Sequence, residues 1–274
     1  MFNIIKNKYL SRKRFGQNFL IDKIVVDNIV NIINPQSNQL IIEIGPGFGV
    51  LTEAVVNLID KLIVIEIDRD LAMRLNTHMH LKDKLIIIQN DVMKIDFSLF
   101  VKQTCDFIRV FGNLPYNIST PLMFHLFSFS HFIIDMVFML QKEVVNRLIA
   151  NPGSKDYGRL SVMAQYYCDI NKLLDVMPES FIPIPNVDSA IVKLIPRRKK
   201  KYFVKNINFL SYITKLAFNQ RRKIISNSLN NIINVKELIF LGVDPVARAE
   251  NISVKEYCKI ANYLYNTNLS NTIV

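Results

Sequence analysis

From residue 24 to residue 150, short apolar runs alternate with stretches whose apolar positions fall at helical spacing. "IVVDNIVNII" (24–33) has its apolar residues on one helical face. After it, "LIIEIG" (40–45), "LIVIEI" (62–67), "LIIIQND" (85–91), "FIRVFG" (107–112) and "IIDMVFML" (133–140) predict buried strands. Between and after them, "VLTEAVVNLI" (50–59), "RDLAMRLNTHM" (69–79), "TPLMFHLFS" (120–128) and "KEVVNRLIA" (142–150) predict helices, with Pro121 in a first turn, where its missing N–H costs nothing. Strand and helix in strict alternation predict an α/β fold, a parallel sheet covered on both faces.

After Asn151 the pattern loosens. "RLSVMAQYYC" (159–168) reads as a helix and "SAIVKLIP" (189–196) as a closing strand. The basic run "RRKKK" (197–201) follows, and beyond it "FLSYITKLAF", "KIISNSLNNII", "VKELIFLG" and "VKEYCKIANYLY" are all helical in pattern. This change places a domain boundary near 197–205, with residues 1–200 as the first domain and 201–274 as a small helical second one. The basic run has two readings, a solvated linker or an RNA contact. No internal repeat or low-complexity tract interrupts the chain.

Half of the 274 residues are hydrophobic, enough for a sizeable core and too many for wholesale disorder. The formal net charge of +11 points to an anionic partner, nucleic acid before a membrane, unless it reflects a general excess of Asn, Ile and Lys. Three cysteines, Cys105, Cys168 and Cys258, are far apart and odd in number. They fit reduced thiols in the cytoplasm, and no Cys/His spacing suits a metal. The start, "MFNIIKNKYLSRKRFGQ", has no apolar core of signal-peptide length, and "LMFHLFSFSHFIIDMVFML" (122–140) is broken by His125, His131 and Asp135, so no membrane span is expected.

The strand ends carry the chemistry. The first closes in "EIGPGFG", with Glu43, Gly45, Gly47 and Gly49, where a ligand can approach bare backbone at a helix N-terminus. The glycine spacing departs from G-x-G-x-x-G. The second strand ends at Glu66, placed to accept from ribose hydroxyls, and the third at Asp91, placed to accept from an adenine amino group. Each alone is ordinary strand-end capping; three in order on one sheet edge point to a nucleoside cofactor, with a nicotinamide dinucleotide and S-adenosylmethionine both still open.

The fourth strand runs into "FGNLPYNISTP", with Asn113, Leu114, Pro115 and Tyr116 at its tip. A turn would explain Asn and Pro. Methyl transfer explains the whole set. The lone pair of a base amino group is delocalised into the ring, and acceptors aimed at its hydrogens favour the rehybridised, nucleophilic form. The Asn113 oxygen and the Leu114 carbonyl, fixed by Pro115, supply two acceptors. Tyr116 stacks on the base and aligns it, its ring face rather than its hydroxyl doing this work.

With "RKRFGQNFL", "EIGPGFG", "VIEIDRDL", "FGNLPYNISTP", "MLQKEVVNRL", "YGRLSVMAQYY", "FIPIPNVDSAIVKL" and "AFNQRRKIISNSL" in order from residue 9 to about 265, the chain resembles the bacterial small-subunit rRNA adenine dimethyltransferases, the kasugamycin-sensitivity family. The resemblance implies a class I S-adenosylmethionine-dependent methyltransferase fold, Rossmann-like with a mostly parallel seven-stranded sheet, followed by a small all-helical C-terminal rRNA-binding domain. It implies dimethylation at N6 of two adjacent adenosines in the 3′-terminal hairpin loop of 16S rRNA, on an assembling 30S subunit, by a cytoplasmic enzyme that works as a monomer. Carried onto this chain, Asn18 and Leu20 border S-adenosylmethionine, Gly45 lies under its methionine part, Glu66 meets its ribose, Asp91 its adenine, and Asn113 the reacting methyl. Phe181 of "FIPIP" covers the target base opposite Tyr116, or else anchors the core or a loop between prolines. Rival readings are the related 23S rRNA adenine methyltransferase of the macrolide-resistance type, which "AFNQRRKIISNSL" disfavours, a ribosome-assembly factor that only binds, and, more distantly, a nicotinamide dehydrogenase.

Overall fold

The computed structural model describes residues 17–78, 80–104 and 107–267. Cys105 and the chain up to residue 16, which includes the start of "RKRFGQNFL", lie outside them. By its contacts the chain forms two units: residues up to Val145 with Asn171–Pro196, and Asn146–Ile170 with the residues from Arg197 onward. The second unit therefore takes in the helix Arg159–Tyr167 as well as the helices after the basic run.

Strands β2 (Leu40–Ile44), β3 (Leu62–Glu66), β4 (Leu85–Gln89), β5 (Ile108–Asn113), β6 (Ile133–Gln141), β7 (Cys168–Val176, of which the first unit holds the part from Asn171) and β9 (Ser189–Pro196) build a seven-stranded sheet in the order β4-β3-β2-β5-β6-β9-β7. The five strands from β2 to β6 pair in parallel, and β9 runs antiparallel to β6. Strand β2 sits between β3 and β5, so the chain reverses its direction of winding there. Such a switch point opens a crevice beyond the carboxyl ends of the strands. A short pair, β1 (Phe19–Leu20) with β8 (Phe181–Ile182), lies apart from this sheet, with Leu20 opposite Phe181.

The central strands are apolar on both faces because helices cover both: every residue of β3 is buried, as are all but the last of β5. Strand β7 was not foreseen. Its residues alternate between exposed and more covered positions, and it lies at the edge of the sheet, so its outward places carry Asp169, Asn171, Leu173 and Asp175, two of them charged. Charges on an edge strand block further pairing and also hide the strand from a search for apolar runs.

Two details fix the strand ends. Gly112 lies where a Cβ would sit 2.3 Å from the Ile44 carbonyl oxygen, so only glycine lets the tips of β5 and β2 come this close. At the far end of β5, Arg109 is buried and donates to Asp135 at 2.7 and 2.8 Å, to the Ile33 and Asn34 carbonyls and to Gln39. Burial alone would raise the Asp135 pKa, yet the Arg109 and Lys193 cations outweigh it and hold that carboxyl below its ordinary value. This network ties the end of the helix Lys23–Ile33 to the sheet.

The second unit is helical: Arg159–Tyr167, Ile207–Asn219, Ile225–Ser228, Val235–Phe240 and Val254–Asn266. Asn234 with Glu237 and Ser253 with Glu256 form capping boxes at two of these starts. The helix expected over "KIISNSLNNII" is one turn long, because its Ser and Asn side chains compete for backbone hydrogen bonds. Part of the basic run is engaged inside this unit. Arg197 binds Asp169 and the Gln165 carbonyl, and the Lys200 ammonium stands 5.0 Å from the Tyr166 ring centroid. Cys168 and Cys258 are free and buried, and burial pushes both thiols up to about 12. Among the described residues, no group of His, Cys, Asp and Glu is arranged to hold a metal, and no helix is long and apolar enough to cross a membrane.

Candidate active site

A cavity of about 300 Å³ opens at the ends of β2, β3, β4 and β5. The glycine turn after β2 forms its floor: Gly45, Gly47 and Gly49 have φ of 67°, 60° and 84°. At Gly47 a side chain would in addition press on the Phe19 ring, since a Cβ there would lie 3.0 Å from it. Glycine thus lets the segment Gln17–Leu20 lie over the turn, and the Phe19 and Phe48 rings meet with centroids 4.2 Å apart.

Glu66 ends β3 almost fully buried. Its Oε2 accepts the Gly47 N–H at 3.2 Å and its Oε1 accepts the Asp68 N–H at 2.9 Å. Burial raises its pKa, against the pull of these backbone donors. The carboxylate is therefore locked in place with lone pairs left for a ligand's hydroxyls. Asp91, beyond β4, is held by the Met93 N–H at 3.0 Å on its Oδ1. Behind the glycine turn, Glu43 is fully buried, accepts from Thr52 Oγ1 at 2.6 Å, and is pushed up to about 8 by burial, with the charge of Glu66 adding to the effect. It lines the same cavity, where burial favours its protonated form.

At the tip of β5 the Asn113 Nδ2 donates to the Asn18 carbonyl at 2.9 Å. A carbonyl can only accept, so this bond decides which way the amide faces and leaves Oδ1 as the atom available to a substrate. The Leu114 N–H donates to the Met139 carbonyl at 3.1 Å and Ser119 Oγ to the Tyr116 carbonyl at 2.9 Å, so the turn is clamped on both sides.

The structure brings together Asn18, Leu20, Gly45, Glu66, Asp91, Asn113, Leu114 and Tyr116 around this one cavity. Phe181 is not among them. It is fully buried, faces Leu20 across the β1–β8 pair and belongs to the core with Val26, Ile29 and Ile191. This burial is what the core-anchor reading expects of Phe181. Phe48 and Met93 also line the cavity without having been singled out. Both neighbour motif residues, which is the signal that could have found them. Asn18 meets Asn113 through its backbone carbonyl, where side-chain chemistry gives no sign.

Residues 9–266 match the ribosomal RNA adenine dimethylase family. The proteins named ribosomal RNA small subunit methyltransferase A from Photorhabdus laumondii and Klebsiella pneumoniae are each 59% identical to this chain, covering 96% and 97% of it and 97% of either relative. Among solved structures, a dimethyladenosine transferase from Plasmodium falciparum superposes with a TM-score of 0.77 at 26% identity, over 90% of this chain and 98% of that one. The 23S rRNA methyltransferase ErmE has the same fold, with a TM-score of 0.67 at 21% identity over 90% of this chain and all of its own. The matched span takes in every strand end that shapes the cavity, and with it the chain belongs to the ribosomal RNA adenine dimethylase family, enzymes that use S-adenosylmethionine.

Proposed function

We propose that this enzyme transfers methyl groups to N6 of two adjacent adenosines in the 3′-terminal hairpin loop of 16S rRNA, two to each, on an assembling 30S subunit, and that it does so in the cytoplasm as a monomer. The observation that carries this reading is the fixed Asn113 amide at the cavity, whose Nδ2 is taken by Asn18 so that its oxygen remains available to a substrate. The identity of 59% to proteins named for the small subunit supports this over the 23S alternative, whose solved example shares 21%.

The cavity residues fit S-adenosylmethionine. Glu66 would hold its ribose hydroxyls, Asp91 its adenine, and the bare backbone at Gly45 its methionine part, with Asn18 and Leu20 at the border. When bound, S-adenosylmethionine supplies an electrophilic methyl on a sulfonium sulfur. The protein's part is to shape the nucleophile. The Asn113 oxygen and the Leu114 carbonyl accept from the two hydrogens of the adenine amino group and favour its pyramidal form. The carbonyls of Pro115 and Tyr116 are engaged by the Ile118 N–H and Ser119 Oγ, so of these three the Leu114 carbonyl is the one left for substrate. The Tyr116 ring supports the base after it leaves its stack, a step that costs about a few kcal/mol and less in a loop. Once N6 has bonded the methyl, its surplus proton leaves to water, so the site needs no strong base.

The test is to incubate the protein with methyl-labelled S-adenosylmethionine and under-methylated 30S particles, with 50S particles in parallel, and to map the label by mass spectrometry of rRNA digests. The expected result is N6,N6-dimethyladenosine at two neighbouring positions near the 3′ end of 16S rRNA. Label confined to 23S rRNA would overturn the assignment.

A further inference from the structure

Tyr116 is fastened at both ends. Its carbonyl accepts from Ser119 in the first turn of the helix Ser119–Ser128, and its phenol oxygen lies 2.7 Å from Ser189 Oγ. Ser189 is fully buried and opens β9, in register with Gln141 at the end of β6. The residue before it is tied down as well: the Lys142 N–H donates to the Asp188 carbonyl at 2.9 Å, and Lys142 Nζ reaches Asp188 Oδ2 at 3.2 Å. The far end of the Tyr116 side chain is thus anchored to the central sheet, a rigid element, and not to a loop.

We propose that Ser189 is a positioning residue for methyl transfer: its hydroxyl fixes the plane of the Tyr116 ring on which the target adenine lies. The inference rests on the reading of Tyr116 as the stacking residue. A tyrosine held only by its backbone can still rotate about χ1 and χ2, and a ring in a pocket wall is covered on one side only. A bond at the phenol oxygen acts at the greatest distance from those two torsions and stops both motions. A base stacked on the ring follows its tilt, and in-line transfer tolerates misalignment of only about 10–20°. Burial raises the Tyr116 pKa, so the phenol keeps its proton and the bond persists across the neutral range. This replaces the expectation that only the ring face of Tyr116 matters.

The competing explanation is that the bond merely satisfies a buried serine. Then its loss lowers stability and leaves the reaction alone. Single-turnover methylation of saturated, under-methylated 30S particles separates the two, using Tyr116→Phe, Ser189→Ala, the double variant, Ser189→Thr and Tyr116→Ala. Tyr116→Phe reaches the same bond from the cavity side, so the test does not depend on how β9 tolerates a change. Each single loss of the hydrogen bond is expected to slow the step about tenfold. S-adenosylmethionine affinity by calorimetry stays at the parent value, and the factor is the same from pH 6.5 to about 8.5, because no proton is exchanged in that range. The double variant is no slower than either single, and Ser189→Thr, which keeps the hydroxyl, restores most of the rate. Parent-like rates in both Tyr116→Phe and Ser189→Ala, or losses that multiply to about a hundredfold in the double variant, would overturn the proposal. A parent-like rate in Tyr116→Ala would instead remove the stacking role itself, and the proposal with it.

Discussion

A carboxyl group with no water around it holds its proton, and Glu43 is in that position, with a pKa of about 8 in the fold against an ordinary 4.5. Between those two values the folded protein carries a proton that the unfolded chain has released. Stability from this group is therefore greatest below pH 4.5, falls as pH rises towards about 8, and is level beyond. Glu43→Gln keeps the shape and the bond from Thr52 but cannot titrate. Thermal melts from pH 5 to 8 should show variant and parent close together at the acid end, with the variant gaining steadily as pH rises. A difference that does not change with pH would mean that Glu43 is ionised in the fold. At this scale the sequence was readable where a polar side chain at a strand end lines the cavity, as at Glu66, Asp91 and Asn113. It was silent on which atoms meet: that Asn18 holds the Asn113 amide through its backbone carbonyl, and that the Tyr116 hydroxyl finds Ser189 far along the chain, has no local pattern.

Elements bring those side chains together, and the approach of β5 to β2 is the critical one. Gly112→Ala would drive a methyl group into the Ile44 carbonyl, which a Cβ at residue 112 would meet at 2.3 Å. The strands must part there, and Gly45 moves away from Asn113. Urea denaturation should show a loss of about 1–3 kcal/mol, and calorimetry a weaker grip on S-adenosylmethionine. An unchanged midpoint would mean that the two strand tips have slack. The alternation of strands and helices up to residue 150 was legible because central strands of a parallel sheet are apolar on both faces. Strand β7 was not, since an edge strand carries charges outward, and the inward turn of Phe181 depends on the β1–β8 pairing, which no local pattern encodes.

For the whole molecule, a chain of net charge +11 must meet rRNA as well as hold a cofactor. Which cations are available for phosphate depends on what they do within the helical unit. Arg221 is engaged by Glu250 and by the Lys155 and Tyr157 carbonyls, so its loss would damage the fold before it touched binding. Arg222 and Lys223 are exposed neighbours on the same turn. We expect Arg222→Ala with Lys223→Ala to weaken binding to 30S particles and to flatten the dependence of log affinity on log salt by about one unit per lost phosphate contact. Filter binding from 50 to 200 mM salt reads this slope directly, and a slope equal to the parent's would assign both charges to solvation alone. The account as a whole turns on Asn113, where the cavity meets the clamped turn and where we propose that the RNA substrate docks. The decisive measurement is the single-turnover rate of Asn113→Ala on saturated 30S complexes, with S-adenosylmethionine and 30S affinities measured alongside. The account predicts a folded protein that binds the 30S particle nearly as well as the parent and transfers methyl about 100- to 1000-fold more slowly, the loss of about 3–4 kcal/mol of transition-state stabilisation. A near-parent rate would contradict it and leave Asn113-Leu114-Pro115-Tyr116 a turn.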